Sequence, residues 1–266
     1  MTHMSAPEPV ETSVVADDQA GAGLLQSVQR AAAILQVVSR HPGLSAQQIA
    51  ELAGIERTGA HRLLRTLEHE LLVERYGRGY RLGARNLLLG NSYLSQHALR
   101  QISLPYQMDL LYRVFANRPW SLAVLTRVGQ VVTLVSHLWS PLAPLDSLLS
   151  IGLTGRVERA AGGRCMLAFL PESEVAQIVG PATAAELAPR LERIRSNRGL
   201  DYVSAKEKSG APEGLSAMSA CILDQGGRPV AALTLSGAEL EDYLHSDSEP
   251  ASHLIRTAAQ IGSVLS

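Results

Sequence analysis

The sequence predicts an α+β chain in two folded parts, a small helical N-terminal domain closed by a β-hairpin and a larger domain of helices packed on a sheet. Three observations carry this prediction. The 266 residues are too many for one small module and too few for three ordinary domains. Apolar residues recur at helical spacing over the first folded stretch, which closes on one short hairpin pattern, whereas longer alternating or continuous apolar runs around Gly-containing turns enter after residue 120. Charge is also partitioned: the formal net charge of -1 arises from 24 basic and 25 acidic residues that are unevenly placed. Residues 1–23 hold Glu8, Glu11, Asp17 and Asp18 and no basic residue, which reads as a disordered acidic leader. Residues 24–97 hold nine arginines against five glutamates, a balance of +4, so near-neutrality is a cancellation.

In chain order, Leu25, Val28, Ala31, Ala32, Leu35 and Val38 are spaced by three and four, one stripe of a helix over residues 25–39 that stops at His41-Pro42-Gly43. Ser45 stands as N-cap of a short second helix ending at Gly54. Thr58 is the expected cap of a third, whose apolar face is Ala60, Leu63, Leu64, Leu67 and Leu71, with Arg57, His61, Arg62 and Arg65 pointing elsewhere. Two short helices joined by a tight Gly-containing turn, the second basic on its outer face, form a helix-turn-helix. Residues 72–76 and 80–82 alternate on either side of Gly77-Arg78-Gly79, a β-hairpin with an arginine at its tip. The whole reads as a winged helix. Its third helix suits the major groove of double-stranded DNA, with Arg62 and Arg65 reaching phosphates or guanine edges and Arg78 beside the backbone or minor groove. The alternative is a winged helix that docks protein.

These residues also resemble a family. Ser27-Val28-Gln29-Arg30-Ala31, Leu44-Ser45, Ile49-Ala50-Glu51-Leu52-Ala53-Gly54, His61-Arg62-Leu63-Leu64-Arg65-Thr66-Leu67-Glu68 and Tyr80-Arg81-Leu82-Gly83 are collinear with the DNA-binding domain of IclR-type transcription regulators. Where that family commonly carries Ser-Thr-Val, this chain has Thr58-Gly59-Ala60, and a helical glycine costs about 1 kcal/mol against alanine. Gly59 either lets the helix approach DNA closely or is simply tolerated. The resemblance implies a winged domain over residues 24–83 whose DNA contacts include Arg57, Thr58, His61, Arg62, Arg65 and Arg78. It also implies a linker helix over 84–97, with Leu87, Leu88, Leu89 and Leu94, that supports a homodimer or tetramer.

Beyond the linker the residues predict a helix after Pro105 to residue 117, strands over 121–127 and 131–138, helices over 157–170, 172–179 and 183–198, strands over 215–223 and 229–236, and a last helix to residue 265. The resemblance names residues 98–266 as a GAF-like effector-binding domain. It likens Ala160-Ala161-Gly162-Gly163 to a small-residue helix start that meets effector carboxylates, with Ala161 and Gly162 as backbone donors. It places Ala217, Thr234 and Ser236 on the pocket wall, where a thiol position has become alanine. The family's acidic pocket residue aligns with Val203, and its Pro and His before the small-residue helix with Arg156 and Glu158. A pocket so altered is expected to take a larger, partly apolar organic acid or related metabolite, with Leu138 and Met218 as apolar walls. Thr234 and Ser236 could equally just fill a strand face.

Enzymatic and membrane readings find no support in the residues. No GxxxxGK[ST] or HExxH motif occurs, the eight histidines form no ligand pair, and Gly162-Gly163-Arg164 lacks the preceding strand of a dinucleotide fingerprint. No catalytic residue, metal or cofactor is expected. Cys165 and Cys221 are too few and too far apart for a disulfide framework or metal knuckle. Cys221 lies in an apolar strand without a neighbouring histidine, where a buried inert thiol is the common case. With no apolar run long enough to span a bilayer and no secretory leader, the chain is expected in the cytoplasm, away from membranes.

Overall fold

The structure is a computed structural model that describes residues 23–96, 98–144, 151–206 and 215–265; the predicted acidic leader lies outside these residues except for Gly23. The chain divides after Gln96 into two compact units.

The first unit contains α1 (Gln26–Arg40), α2 (Ala46–Leu52), α3 (Arg57–His69), β1 (Val73–Tyr76), β2 (Gly79–Leu82) and α4 (Arg85–Gln96). Its core is Ile34 and Val38 of α1, Ile49 of α2, Ala60 and Leu64 of α3, and Val73 and Tyr80 of the hairpin. The predicted stripe of α1 is therefore only half used. Leu25 and Val28 are exposed, because the small core reaches just the C-terminal half of the helix. Ser45 caps α2 in a reciprocal box: its hydroxyl accepts from the Gln48 amide while the Gln48 side chain accepts from the Ser45 amide.

Two expectations at α3 change. The cap is Glu56, whose carboxylate accepts the Thr58 amide at 3.3 Å; Thr58 lies inside the first turn and gives its own hydroxyl to the same carboxylate. Leu71 lies beyond the helix, exposed, with φ 57. There the Leu72 amide reaches back to the Leu67 carbonyl (2.8 Å) and the Leu71 amide to the Glu68 carbonyl (3.0 Å), a Schellman ending with leucine where glycine is usual. The left-handed leucine costs about 1 kcal/mol, offset by turning the chain straight into β1.

The hairpin pairs Val73 with Leu82 through to Tyr76 with Gly79, around Gly77-Arg78 with Gly77 at φ 59. Tyr80 bonds Gly43 and Leu44 through its backbone, so β2 is also tied to the segment between α1 and α2. A Cβ at Gly79 would stand 2.1 Å from the Gly43 carbonyl oxygen. In α4 no residue is buried, and Leu87, Leu88 and Leu89 are exposed; the helix is fastened at its start by Asn86 to the carbonyls of Leu72 and Gly83.

The second unit contains α5 (Ala98–Asp109), a π-helical turn (Leu110–Val114), β3 (Ser121–Val128), β4 (Val131–Trp139), β5 (Thr154–Arg156), α6 (Ala161–Leu167), α7 (Glu172–Val179), α8 (Pro181–Ser196), β6 (Leu200–Val203), β7 (Ser216–Leu223), β8 (Pro229–Gly237), a 3-10 turn (Ala238–Tyr243) and α9 (Glu249–Ser263). The strands form one antiparallel sheet in the order β5-β4-β3-β8-β7-β6. Helix α5 begins before Pro105 and carries it internally, contrary to the expected start after it. Leu99, Ser103 and Gln107, buried at spacing four, hold the helix through the missing amide. Strands β5 and β6 are shorter than the periods that betray a strand and were not anticipated.

Alternation along the strands gives the sheet two different faces. Leu138, Leu122, Leu235 and Met218 form one cross-strand row, and Ser136, Val124, Leu233 and Ala220 the next on the same side. Ser136 donates to Gln107 of α5 at 3.2 Å, so this face lies under α5. The opposite face carries Ala123, Thr234 and Ser219 in one row and Ser121, Ser236 and Ala217 in the next. It meets α6, where a Cβ on Gly162 would come within 3.0 Å of Ala232 Cβ and 3.3 Å of Thr234 Oγ1.

Gly79→Ala forces β2 away from the Gly43 carbonyl. Thermal unfolding of the variant should show the first unit destabilised by about 3 kcal/mol, an unusually large cost for adding one methyl group.

Candidate functional site

In the first unit the six residues expected to contact DNA are all exposed: Arg57, Thr58, His61, Arg62 and Arg65 on α3, and Arg78 at the hairpin tip. The arginines of this surface fall into two groups. Arg75 pairs with Glu68 and lies over the Tyr80 ring, Arg81 pairs with Glu74 and lies over Tyr76, and Arg85 pairs with Glu70. Arg57, Arg62, Arg65 and Arg78 make no ion pair with any described residue. The first group ties the hairpin and its junction; the guanidinium groups of the second are exposed and without an ion pair among the described residues, and such a fork fits phosphate or guanine. Thr58 differs from its neighbours, since its hydroxyl is already held by Glu56. Glu56 itself escaped the sequence reading, although a carboxylate two residues before a threonine at a helix start is a readable cap.

In the second unit the expected effector residues do not all meet. Ala217, Thr234 and Ser236 share the sheet face under α6, where Ala161 and Gly162 also lie. Leu138 and Met218 belong to the opposite row, beneath α5 and α9, with Met218 fully buried, so they cannot wall the same pocket. The cause is the two-residue period: Met218 neighbours Ala217 in sequence and therefore points away from it.

The face under α6 is rich in hydroxyls, and they satisfy one another. Ser121 and Ser236 bond at 2.9 Å, and Ser219 and Thr234 at 2.8 Å, all four buried. Ser121 and Ser219 complete each pair and were missed, because only the strand register reveals them. His137 is buried on the same side, its ring 5.6 Å from that of Trp139. The start of α6 has no side-chain cap, Ala160 having nothing to offer the first-turn amides. Its two glycines have packing reasons of their own: Gly162 is pressed on the sheet, and a Cβ on Gly163 would stand 2.0 Å from the Val157 carbonyl oxygen.

One charged residue sits in this otherwise apolar helix. Arg164, 4% exposed, gives its Nε to Asp201 of β6 at 2.6 Å and its Nη1 to the carbonyls of Glu158 and Arg159. Arg190 of α8 takes the other oxygen of Asp201 at 3.1 Å and the Tyr202 carbonyl at 2.6 Å. A lone arginine within Ala-Gly-Gly-Arg-Cys-Met-Leu was the available signal, because a buried charge needs a partner. The cluster fixes α6 to β6 and leaves Arg164 fully engaged. Further along, Glu241 accepts from the hydroxyls of Ser204 (2.6 Å) and Ser216 (2.5 Å), which hold its carboxyl below the ordinary value. Burial pushes the thiols of Cys165 and Cys221 upward, away from nucleophile chemistry. Among the described residues no group of histidine, cysteine and carboxylate side chains is placed to hold a metal ion, and no helix is long and apolar enough to cross a membrane.

Residues 27–77 match the IclR helix-turn-helix domain, and residues 91–263 match the bacterial transcriptional regulator IclR C-terminal domain. The chain is 31% identical over 255 residues to the glycerol operon regulatory protein of Streptomyces griseus, covering 91% of this chain and 95% of that one. Among solved structures it resembles an IclR transcriptional regulator from Alicyclobacillus acidocaldarius, with TM-score 0.72 and 23% identity over 90% of this chain and 98% of that one. It also resembles an IclR homologue from Microbacterium hydrocarbonoxydans complexed with 4-hydroxybenzoate, with TM-score 0.66 and 18% identity over 89% and 97% of the two chains.

Asp201→Ala would leave the Arg164 guanidinium buried without its carboxylate. Urea unfolding should report a loss of about 3–5 kcal/mol, as for other broken buried pairs.

Proposed function

The chain belongs to the IclR family of bacterial transcriptional regulators, and from that premise we propose how this member, a DNA-binding regulator of a metabolic operon, meets its operator and its effector. Helix α3 enters the major groove with Arg62 and Arg65 on phosphates or guanine edges and Arg57, Thr58 and His61 at the groove entrance, while Arg78 follows the adjacent backbone. The observation that carries this reading is the division of the arginines: those on α3 and at the hairpin tip are without an ion pair among the described residues, whereas those flanking them are neutralised. A homodimer or tetramer reads a two-fold operator. The exposed leucines of α4 support self-association, since the described residues of their own unit leave Leu87, Leu88 and Leu89 largely uncovered. The protein acts in the cytoplasm, as double-stranded DNA requires.

The effector, a small organic acid or related metabolite, binds on the sheet face under α6, at Ala217, Thr234 and Ser236 beside Ala161 and Gly162. Binding shifts the population of geometries able to engage both half-sites. The Microbacterium homologue holds such an acid. A second reading, a neutral polyol, is favoured by one observation: this face presents hydroxyls, and its nearest buried cation, Arg164, is already held by Asp201. The relationship to a glycerol operon regulator points the same way.

Arg62→Ala combined with Arg65→Ala should abolish measurable duplex binding at moderate salt and lower the slope of log K against log salt by roughly 2, about 1 per lost phosphate contact. No duplex affinity in the intact protein would favour a winged helix that docks protein, and unchanged affinity in the double variant would remove Arg62 and Arg65 from the interface. Calorimetry against a panel of carboxylic acids and polyols should give affinities that fall about tenfold in Thr234→Val and in Ser236→Ala. Equal affinities in both variants would remove these hydroxyls from the site.

A further inference from the structure

Glu56 places a negative charge at the start of the helix that must approach a polyanion. It is exposed and directly precedes Arg57. Its Oε1 accepts the Thr58 hydroxyl at 2.6 Å and the Thr58 amide at 3.3 Å, and its Oε2 lies 2.5 Å from the same hydroxyl. These contacts hold the carboxylate against the helix and keep its pKa below the ordinary carboxylate range, so the group is charged throughout the neutral range. Next to it stands Gly59, for which the protein itself gives no reason. Its φ is not left-handed, and a Cβ there would meet only Ile55 Cγ2 at 3.7 Å and Glu56 Oε2 at 3.9 Å, both ordinary contacts. A β-branched residue would extend further toward Oε2 and crowd the carboxylate out of its place. The bare helix position and the anchored acid thus belong together.

Capping alone does not call for glutamate. Serine, threonine, asparagine and aspartate are the usual caps, and a neutral cap would serve without repelling phosphates. A carboxylate offers about four acceptor sites, and Thr58 engages those on the helix side. In the free protein water serves the outward sites; where DNA displaces that water they need another donor, which the phosphate backbone cannot supply. On the major-groove edge the exocyclic amino groups supply it: the adenine amine is flanked by the acceptors N7 and thymine O4, whereas the cytosine N4 amine has guanine O6 on one side only.

We propose that Glu56 is a specificity-determining residue of the recognition helix, accepting a hydrogen bond from the N4 amine of a cytosine, with Thr58 and Gly59 holding it in position. The inference rests on α3 being the helix that enters the groove. Glu56 lowers affinity for DNA in general and raises the contrast between one sequence and the rest.

The test uses the full chain and a pool of random-sequence duplex DNA. Binders selected by the native protein should share a C·G pair at one fixed position in each half-site, and that preference should vanish with Glu56→Ser, which keeps a helix cap. Affinity of Glu56→Ser for the native-selected duplex should fall about tenfold or more, while its affinity for unselected duplex rises. Gly59→Val, which keeps the glutamate but sets apolar methyl groups beside its carboxylate, should show the same change. Circular dichroism checks that each variant keeps its helices, and Glu56→Asn stands in should the serine variant unfold. The proposal is overturned if the variants select the native sequence, whether affinity rises from lost repulsion or falls equally for all duplexes from a weakened helix. Arg62→Ala with Arg65→Ala separates the two levels. Duplex binding that survives it removes the groove assignment of α3 and the glutamate's role with it. Arginine-dependent binding with an unchanged selected sequence in the Glu56 variants removes the glutamate's role alone.

Discussion

The second unit depends on the pairing of β3 with β8. Each half of the sheet contains local pairing, β3 with β4 and β7 with β8, in which neighbours in sequence are neighbours in space. Among the described residues the strand pairing that joins the halves is Ser121–Ser236 through Leu125–Ala232, across more than a hundred residues of chain. That register decides which side chains face α6 and which face α5. A slip of one residue would exchange the hydroxyl rows for the Leu122–Leu235 row and bury serines beneath α5. The Ser121–Ser236 bond lies across this seam and the Ser219–Thr234 bond just beside it, so buried hydroxyls at the two sites reward one register and penalise its neighbours.

The legibility of the chain follows the range of the interactions. Where structure is local, the residues declare it: the Ser45–Gln48 box, the two-residue turn at Gly77-Arg78, and the strands on either side of Gly129-Gln130 are all visible in short windows. Errors arise where a distant contact overrides a local preference. Pro105 reads as a helix boundary, yet burial of Ser103 and Gln107 keeps α5 running through it. Leu71 continues a perfect apolar spacing, yet the chain must turn there and does so in a left-handed leucine. Leu138 and Met218 fall on the opposite side of the sheet from Ala217, Thr234 and Ser236, because resemblance to a motif carries positions along a strand without carrying its alternation. Ser121, Ser219 and Asp201 were invisible for the same reason, each defined by a partner on another strand or helix.

The first unit shows how a weakly basic domain presents a concentrated charge. Its excess of four positive charges would be unremarkable if evenly paired. Three arginines are instead bound to the acids of β1, α3 and the α3–β1 turn; of the other six, four (Arg57, Arg62, Arg65 and Arg78) stand on α3 and at the hairpin tip, and Arg30 and Arg40 on α1. Most of the glutamates act as spacers that decide which arginines are available, and net charge counted over the domain misses this arrangement.

Mutual satisfaction of the buried hydroxyls also sets a toll on entry. A molecule that engages Ser236 or Thr234 must return the bond it displaces, since the partner serine would otherwise be stranded away from water. A hydrocarbon-like molecule that parted either pair could not meet that requirement, so at the proposed effector site selection can come from the hydroxyls as well as from the shape of the entrance.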